Sequence, residues 1–408
     1  MDSNAPAPRD AGIGSTITAV AGEVQAGVLV SDGGPEVLSP KWPAGLWVVS
    51  PTGALEQVLG RRWFPIAAGA RGVTAATDRG GRGRIYLVDG NGPSTLLNAS
   101  TTNPCASWSA DGGRLAYLAG DHRTYAQFRD GSLRTSAVGI AGTLWLKAMG
   151  SASNPLALAT GLLPECPAWS SVTASLAYAV GIGERPQRWN LRVYANGRTR
   201  TVGVARGRAL SVGGPRTNRS FDWSPQEDSL AFFDGQVLYA VRGNELVELS
   251  DASEIADIRS TSSRRGFGTY ERYVRFSPSG RFIAVGLGGA VGVFTADGGL
   301  TRVFPAIFRA WSGDSALLAV GLENGAPSLF LYPVEDGGAR IVEKGFKGGI
   351  VLNPSDRWVA YAEGESGRKE VIFRGTDGSA LARVALPFRP VVVGSLSTAG
   401  KFSTVAWP

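Results

Sequence analysis

The chain is poor in the residues that most acid–base and metal chemistry requires. It has a single histidine, His122, in 408 residues. Metal sites built on several histidines are therefore excluded, and a Ser-His-Asp arrangement has only position 122 to draw on. His122 lies in Gly-Asp-His-Arg, a turn-like sequence that places it in a solvated loop. Cysteine is nearly as scarce, at Cys105 and Cys166. Lysine occurs only at 41, 147, 344, 347, 369 and 401, although Lys and Arg together number 41. No apolar run reaches the roughly 18 residues of a membrane-crossing helix. No Gly-rich phosphate loop, calcium-binding EF-hand loop or nucleophile elbow occurs. No catalytic residue, metal site or cofactor is predicted. A carboxylate pair brought together from distant segments leaves no local motif, so a glycan- or peptide-acting site stays open.

Glycine, in contrast, is abundant at 56, with 23 prolines and 43% apolar residues. Charged residues make up only 18%. That mixture suits many short strands joined by tight turns and not long solvated helices. The formal net charge is +7 and is dominated by arginine. Much of that arginine is expected on solvated strand faces, but a basic surface also attracts anionic partners. Residues 1–14 (MDSNAPAPRDAGIG) are small, polar and Pro-containing and read as a flexible lead. They lack the features of a signal peptide. Either the protein is cytoplasmic, or the chain begins after a removed signal or anchor.

One pattern recurs along the sequence. A short strand ends in an aromatic followed by Ser. A tight turn leads to a strand with a central Ala, then a third apolar strand, a turn and a fourth strand. The clearest copy runs Tyr273-Val274-Arg275-Phe276-Ser277-Pro278-Ser279-Gly280-Arg281-Phe282-Ile283-Ala284-Val285. Matching anchors are Trp108-Ser109, Trp169-Ser170, Trp223-Ser224-Pro225, Trp311-Ser312 and Leu352-Asn353-Pro354. A weaker early copy spans Ala67 to Gly90. A last one begins at Leu396-Ser397 and stops after one more strand, Phe402 to Trp407. Leu46–Val49 and Leu55–Leu59 look like the two outer strands that the last copy lacks. Val28-Leu29-Val30 and Val37-Leu38 are either an extra strand pair or part of that closing unit.

A four-stranded sheet with two apolar faces cannot bury both alone, whereas sheets stacked around an axis can. The expected fold is all-β, a β-propeller of eight blades, with seven as the alternative. Residues 15–408 form one domain, in which 15–60 close the ring with 389–408. Trp223-Ser224-Pro225, Phe276-Ser277-Pro278-Ser279-Gly280 and Trp108-Ser109-Ala110-Asp111-Gly112 resemble the WD40-like repeat of TolB-type propellers. The resemblance covers about residues 62–408. It implies the fold but no particular activity, because the repeat serves binding proteins, peptidase propellers and lyases alike. The first 60 residues lack a separate α/β domain, which argues against a Tol-system role.

The repeat gives the cysteines a register. Each lies three residues before its Trp, Cys105 before Trp108 and Cys166 before Trp169, in consecutive copies. They form either a disulfide between neighbouring blades, which implies an oxidising compartment, or two buried thiols in equivalent packing sites. The longest connections, 121–141, 182–188, 206–219, 253–272 and 362–369, all belong on one face of the ring. They carry Arg123, Arg185, Arg219, Arg264, Arg265, Phe267, Tyr270 and Arg272. Arg309 and Lys347, with Glu165, Arg219 and Arg272, belong at the channel mouth.

Paired guanidinium donors suit carboxylates and phosphates. The leading expectation is thus a non-catalytic scaffold, periplasmic or extracellular, that binds a protein or other acidic macromolecule through this face. Nucleic acid is not expected, because the arginines are scattered and no binding module is present. The alternatives are a glycan- or peptide-acting enzyme with carboxylates at the mouth and a structural subunit of a cell-surface assembly.

Overall fold

The computed structural model describes residues 27–32, 46–59, 63–68, 74–78, 85–88, 95–98, 105–129, 132–150, 154–163, 165–182, 188–206, 220–263, 272–287, 289–313, 315–344, 350–353, 358–362, 370–375, 379–386, 390–396 and 402–404. Their strands make seven four-stranded antiparallel sheets and one five-stranded sheet. In chain order the four-stranded sheets span 63–98 (sheet 1), 105–163 (sheet 2), 168–206 (sheet 3), 221–248 (sheet 4), 272–304 (sheet 5), 307–344 (sheet 6) and 350–385 (sheet 7). Within each, the strands pair in sequence order, so every sheet is a meander.

First strands touch the first strand of the next sheet from sheet 1 to sheet 5, and again from sheet 6 to sheet 7. They therefore face the axis, and fourth strands form the rim. The five-stranded sheet touches sheet 7 on one side and sheet 1 on the other, which closes the circuit. This is the propeller arrangement that the repeat predicts.

Burial explains why the sheets stack. Second strands such as Ser229–Phe233 are buried at every residue, so both sheet faces are covered. Fourth strands such as Glu245–Glu248 are mostly exposed. The cores lie between neighbouring sheets: Leu118, Leu144 and Tyr178 join sheets 2 and 3, and Leu191, Phe221 and Phe232 join sheets 3 and 4. The central alanines Ala116, Ala177, Ala231, Ala284, Ala319 and Ala360 all have 0% exposure. Near the axis neighbouring sheets converge, and a larger side chain there would overpack.

The aromatic–Ser signature has two separable jobs. Serine closes the first turn. The amides of Ser109, Ser170, Ser224 and Ser277 each bond the carbonyl five residues on, at 2.8–2.9 Å. Their hydroxyls accept turn amides, as Ser170 Oγ does from Val172 and Thr173 and Ser277 Oγ from Phe282. The indole, in turn, reaches across to the preceding sheet. Trp169 Nε1 donates to Ser107 O at 2.9 Å, Trp223 Nε1 to Ala168 O at 3.0 Å and Trp311 Nε1 to Arg275 O at 3.2 Å. Phe276 has no such donor, and there Asp222 Oδ2 crosses instead to accept the Phe276 amide at 3.1 Å. Burying an aromatic side chain contributes about 4–6 kcal/mol gross. The hydrogen bond adds only about 1 kcal/mol net. Burial thus drives the stacking, and the indole N–H fixes its register.

Arginine performs the matching task at the rim. Arg200 donates to Gly243 O, and Arg242 to Ala296 O at 3.2 Å. Arg302 donates to Pro333 O, Glu335 O and Gly337 O at 3.3, 2.5 and 2.8 Å. Each guanidinium enters the turn between the third and fourth strands of the following sheet. Between sheets 6 and 7, Glu343 takes over, accepting from Tyr361 at 2.6 Å and from Arg374 Nε at 2.8 Å. Burial pushes the Tyr361 phenol well above its ordinary pKa, and the Glu343 carboxylate adds to that rise.

The closing sheet departs from expectation in its order. It runs Leu55–Leu59, Leu46–Val49, Gly27–Asp32, Pro390–Leu396, Phe402–Thr404. The two outer strands are those the sequence predicts. Pro390–Leu396, however, lies between two partners, Gly27–Asp32, with Val28 opposite Ser395, and the C-terminal strand, so Gly27–Asp32 takes the position next to the outer strands. Phe402–Thr404 lies on the other edge. Six residues rich in Val and Leu (GVLVSD) fill the apolar second position better than three residues of FST. Residues 1–26, Val37-Leu38 and Val405 to Trp407 lie outside the described residues.

Trp223→Phe keeps an aromatic ring but leaves Ala168 O without its indole donor. It is expected to lower unfolding stability by about 1–3 kcal/mol. Leu246→Ala, at a residue 49% exposed, is expected to change stability by less than about 0.5 kcal/mol. Equal effects in a denaturant titration would contradict the indole's role.

Candidate binding face

A meandering sheet sends its connections alternately to two ends. First-to-second and third-to-fourth turns emerge at one end. Second-to-third connections and those leading to the next sheet emerge at the other. The five long segments 121–141, 182–188, 206–219, 253–272 and 362–369 all follow a second or a fourth strand. The strands they follow all finish at one end of the ring. At the opposite end, the first-to-second turns of sheets 3, 4 and 5 are tied to one another. Thr173 Oγ1 donates to Asp228 Oδ1 at 3.1 Å, and Gln226 Nε2 to Pro278 O at 3.3 Å.

Two of the long segments have structure of their own. Segment 121–141 is not a loop. Arg114–Arg129 and Ser132–Ala148 form one continuous hairpin, paired from Arg114↔Ala148 out to Arg129↔Ser132. His122 therefore sits within a strand opposite Ile140, which corrects its reading as a turn residue. The sequence carried the signal in Asp130-Gly131, a strong hairpin turn between alternating residues. Only the base of the hairpin belongs to the four-stranded part of sheet 2. Cys105–Trp108 pairs with Leu115–Leu118, and Leu156–Leu163 with 140–146. At the junction Gly120 faces Gly142, and a Cβ on either would strike the opposite backbone.

The second segment begins with helix α1 (Ala252–Ser263), where the sequence suggested only a long connection. Asp251 caps it. Its Oδ1 accepts the amides of Ser253 and Glu254 at 2.7 and 3.0 Å. The Ser253 hydroxyl, then those amides, hold the Asp251 carboxyl below the ordinary carboxylate range. The cap is therefore intact at neutral pH and weakens only as pH falls through that lowered pKa. Ile255 and Ile258 are buried between sheets 4 and 5 with Val274 and Phe294. Gly292 leaves the space that Ile258 occupies. Asp251 followed by Glu254, ahead of Ile255 and Ile258 at helical spacing, was the legible sign.

Of the predicted binding residues, three are described. Arg123 lies in the hairpin opposite Gly139. Arg272 begins the first strand of sheet 5 opposite Leu287. Arg309 lies in the first strand of sheet 6, Ile307–Ser312, at a register shift. Arg185, Arg219, Arg264, Arg265, Phe267, Tyr270 and Lys347 lie outside the described residues. Among mouth residues, Glu165 Oε2 accepts both the amide and the hydroxyl of Ser220, at 2.9 and 3.0 Å. This contact runs from the start of sheet 3 to the start of sheet 4. Glu165 thus ties sheets together, as Asp222 does one sheet later.

Cys166 is disulfide-bonded, and the one other cysteine in the sequence is Cys105. Cys105 begins the first strand of sheet 2, and Cys166 precedes the first strand of sheet 3. The same two strands are joined by the indole bond from Trp169 to Ser107.

No protein-family model matches the chain, and no curated protein matches it. Solved structures do. The dihydro-heme d1 dehydrogenase NirN, in complex with DHE, is 12% identical over 91% of this chain and 75% of its own, with a TM-score of 0.53. A Mycobacterium tuberculosis puromycin-hydrolyzing peptidase is 14% identical over 90% of this chain and 60% of its own, with a TM-score of 0.45. TolB from Acinetobacter baumannii is 11% identical over 95% of this chain and 73% of its own, with a TM-score of 0.38. At 12% identity the likeness to NirN is one of fold, and it carries no activity across.

Titration of the unfolded, unreduced protein with a thiol reagent is expected to find no free thiol, and after reduction two. Two thiols before reduction would contradict the bridge.

Proposed function

We propose that this TolB-like, WD40-like β-propeller is a non-catalytic binding scaffold that recognises a protein or other acidic macromolecule through its long-connection face. The observation that carries this reading is the asymmetry of the two ends. First-to-second turns of sheets 3, 4 and 5 are bonded to one another at one end, while the longest connections follow second or fourth strands. Binding residues concentrate on such insertions when a rigid scaffold positions them. We read the ring as eight blades, seven complete and one shared by both termini, and 15–408 as a single domain.

The arginine excess divides between two roles in this reading. Arg200, Arg242, Arg302 and Arg374 bridge neighbouring blades or join an ion pair at the rim. Arg123, Arg185, Arg219, Arg264, Arg265 and Arg272, with Phe267 and Tyr270, are left for the partner. Arg309 and Lys347 flank the mouth. The Cys105–Cys166 bridge supports a periplasmic or extracellular location, because such bonds persist in oxidising compartments. The enzyme alternative is weakened by the engagement of Glu165 and Asp222 with the adjoining blade.

One observation favours a second reading, a structural subunit of a surface assembly. Leu55, Leu156, Leu246 and Leu381 are 36–52% exposed, and each lies first or second in the outermost strand of its sheet. An assembly packed on the rim would cover them.

The triple variant Arg264→Glu/Arg265→Glu/Arg272→Glu is expected to lose most partner recovery in a pull-down from the native host. Leu156→Glu/Leu381→Glu is expected to keep it. Unchanged recovery with the first variant and loss with the second would transfer the interface from the long-connection face to the rim.

A further inference from the structure

The outer half of sheet 3 is basic and uncompensated. Its third and fourth strands, Arg188–Ala195 and Arg198–Arg206, contain five arginines and no acidic residue. On sheets 6 and 7 the basic residues of the rim meet carboxylates: Lys344 with Glu323, Arg374 with Glu343 and Arg383 with Glu370. Among the described residues, no carboxylate pairs with Arg188, Arg192, Arg198 or Arg200. Arg200 is engaged by the carbonyl of Gly243 on sheet 4.

Two of these arginines share a face. Trp189, Leu191 and Val193 pack into the core toward sheet 4. Arg188, Asn190 and Arg192 alternate with them and so turn toward sheet 2. Arg192 stands opposite Tyr178 on one side and Thr201 on the other. Tyr178 belongs to the core shared with sheet 2, and its phenol meets Thr199 Oγ1 at 3.3 Å. The outer strand of sheet 2, Leu156–Leu163, packs chiefly on the second strand of sheet 3, with Ala159 and Leu163 among Leu176, Tyr178 and Val180. The third and fourth strands of sheet 3 therefore overhang as a ledge. On it Arg188, Thr199 and Thr201 are exposed, and Asn190 and Arg192 are half-buried. Each of these side chains carries a hydrogen-bond donor. The facing strand (LALATGLL) has no charged residue to set against them. Arg192 Nε is buried without a hydrogen-bond partner, a state that costs free energy until an acceptor is supplied.

Building on the binding-scaffold reading, we propose that this ledge takes an extended acidic segment of a partner protein, laid along Arg188, Asn190 and Arg192. The ledge repeats every second residue of a strand, and so does one face of an extended polypeptide. Arg188 and Arg192 are four residues apart, about 13 Å along the strand. Carboxylates at positions i and i+4 of the segment meet the two guanidinium groups, each able to give paired donors. A polar residue at i+2 lies beside Asn190. A carboxylate that draws Arg192 outward also gives its Nε an acceptor. Arg188 begins its strand at the long-connection end, so the segment continues from that face down the rim of sheet 3.

The test uses the full chain and fluorescence anisotropy with two labelled nine-residue peptides of Ser, one with Glu at positions 3 and 7 and the other with Gln there. The Glu peptide is expected to bind at least about tenfold more tightly than the Gln peptide. Arg188→Glu/Arg192→Glu is expected to abolish binding. Arg188→Glu alone, at an exposed position, is expected to weaken it by about tenfold, so the test stands even if the double variant fails to fold. Arg198→Glu/Arg340→Glu makes the same change of charge away from the ledge and is expected to bind as the parent does. Equal binding of the two peptides, or equal losses in the ledge and the control double variants, would overturn the proposal. So would dextran sulfate binding that Arg188→Glu weakens and the Glu peptide does not displace, which would assign the ledge to a polyanionic glycan. Failure of the peptide test while partner recovery still depends on Arg264, Arg265 and Arg272 refutes the ledge and spares the wider reading. Peptide binding confined to the ledge, with recovery indifferent to those three arginines, supports the ledge and removes the partner from the wider face.

Discussion

The ring depends on one recurring interaction, a side-chain N–H from one blade that bonds a backbone carbonyl of its neighbour. Near the axis the donor is an indole, reaching back from Trp169, Trp223 and Trp311. At the rim it is a guanidinium, reaching forward from Arg200, Arg242 and Arg302. The two sets reach in opposite directions along the chain, and the joints between sheets 3 and 4 and between sheets 5 and 6 carry one of each. Apolar burial between blades is the larger energy, but it is non-directional. The polar crossings select one rotational setting from those that burial alone would tolerate.

That arrangement bears on function through what it leaves unattached. Short turns at one end are joined by Thr173–Asp228 and Gln226–Pro278 contacts. The other end bears the hairpin of sheet 2 and the capped helix. A scaffold fixed along the short-turn face can hold variable segments in constant relative positions. Glu165 and Asp222 each bond a group of the following blade.

Much of this was legible because it is local. An aromatic, a Ser and a nearby Gly define a turn, and an Ala in the following strand marks the crowded second position. Both follow from spacing within a dozen residues. The cysteine register was legible for the same reason. The sequence hid what depends on distant partners. Arg302 looks like any strand arginine until the turn at Pro333–Gly337 is placed beside it. Gly27–Asp32 gave no local reason to precede Phe402–Thr404 in the pairing order, because both are short strands and only the closed ring makes them compete. The ribbon and the helix are different. Asp130-Gly131 and Asp251-x-x-Glu254 were readable, but the surrounding length suggested irregular connections. The end from which the long connections leave follows from strand parity and was readable in the sequence, while the length of the sheet 2 hairpin needed the pairing register.

The central claim is that the partner meets the long-connection face, and site-specific photocrosslinking in the native host tests it most directly. Ile182 and Leu322, each 43% exposed, adjoin second-to-third connections, and Val172, 48% exposed, lies in a short turn at the opposite end. A photoreactive phenylalanine analogue at position 182 or 322 is predicted to capture a partner, and one at position 172 is not. Capture from position 172 alone would contradict the account.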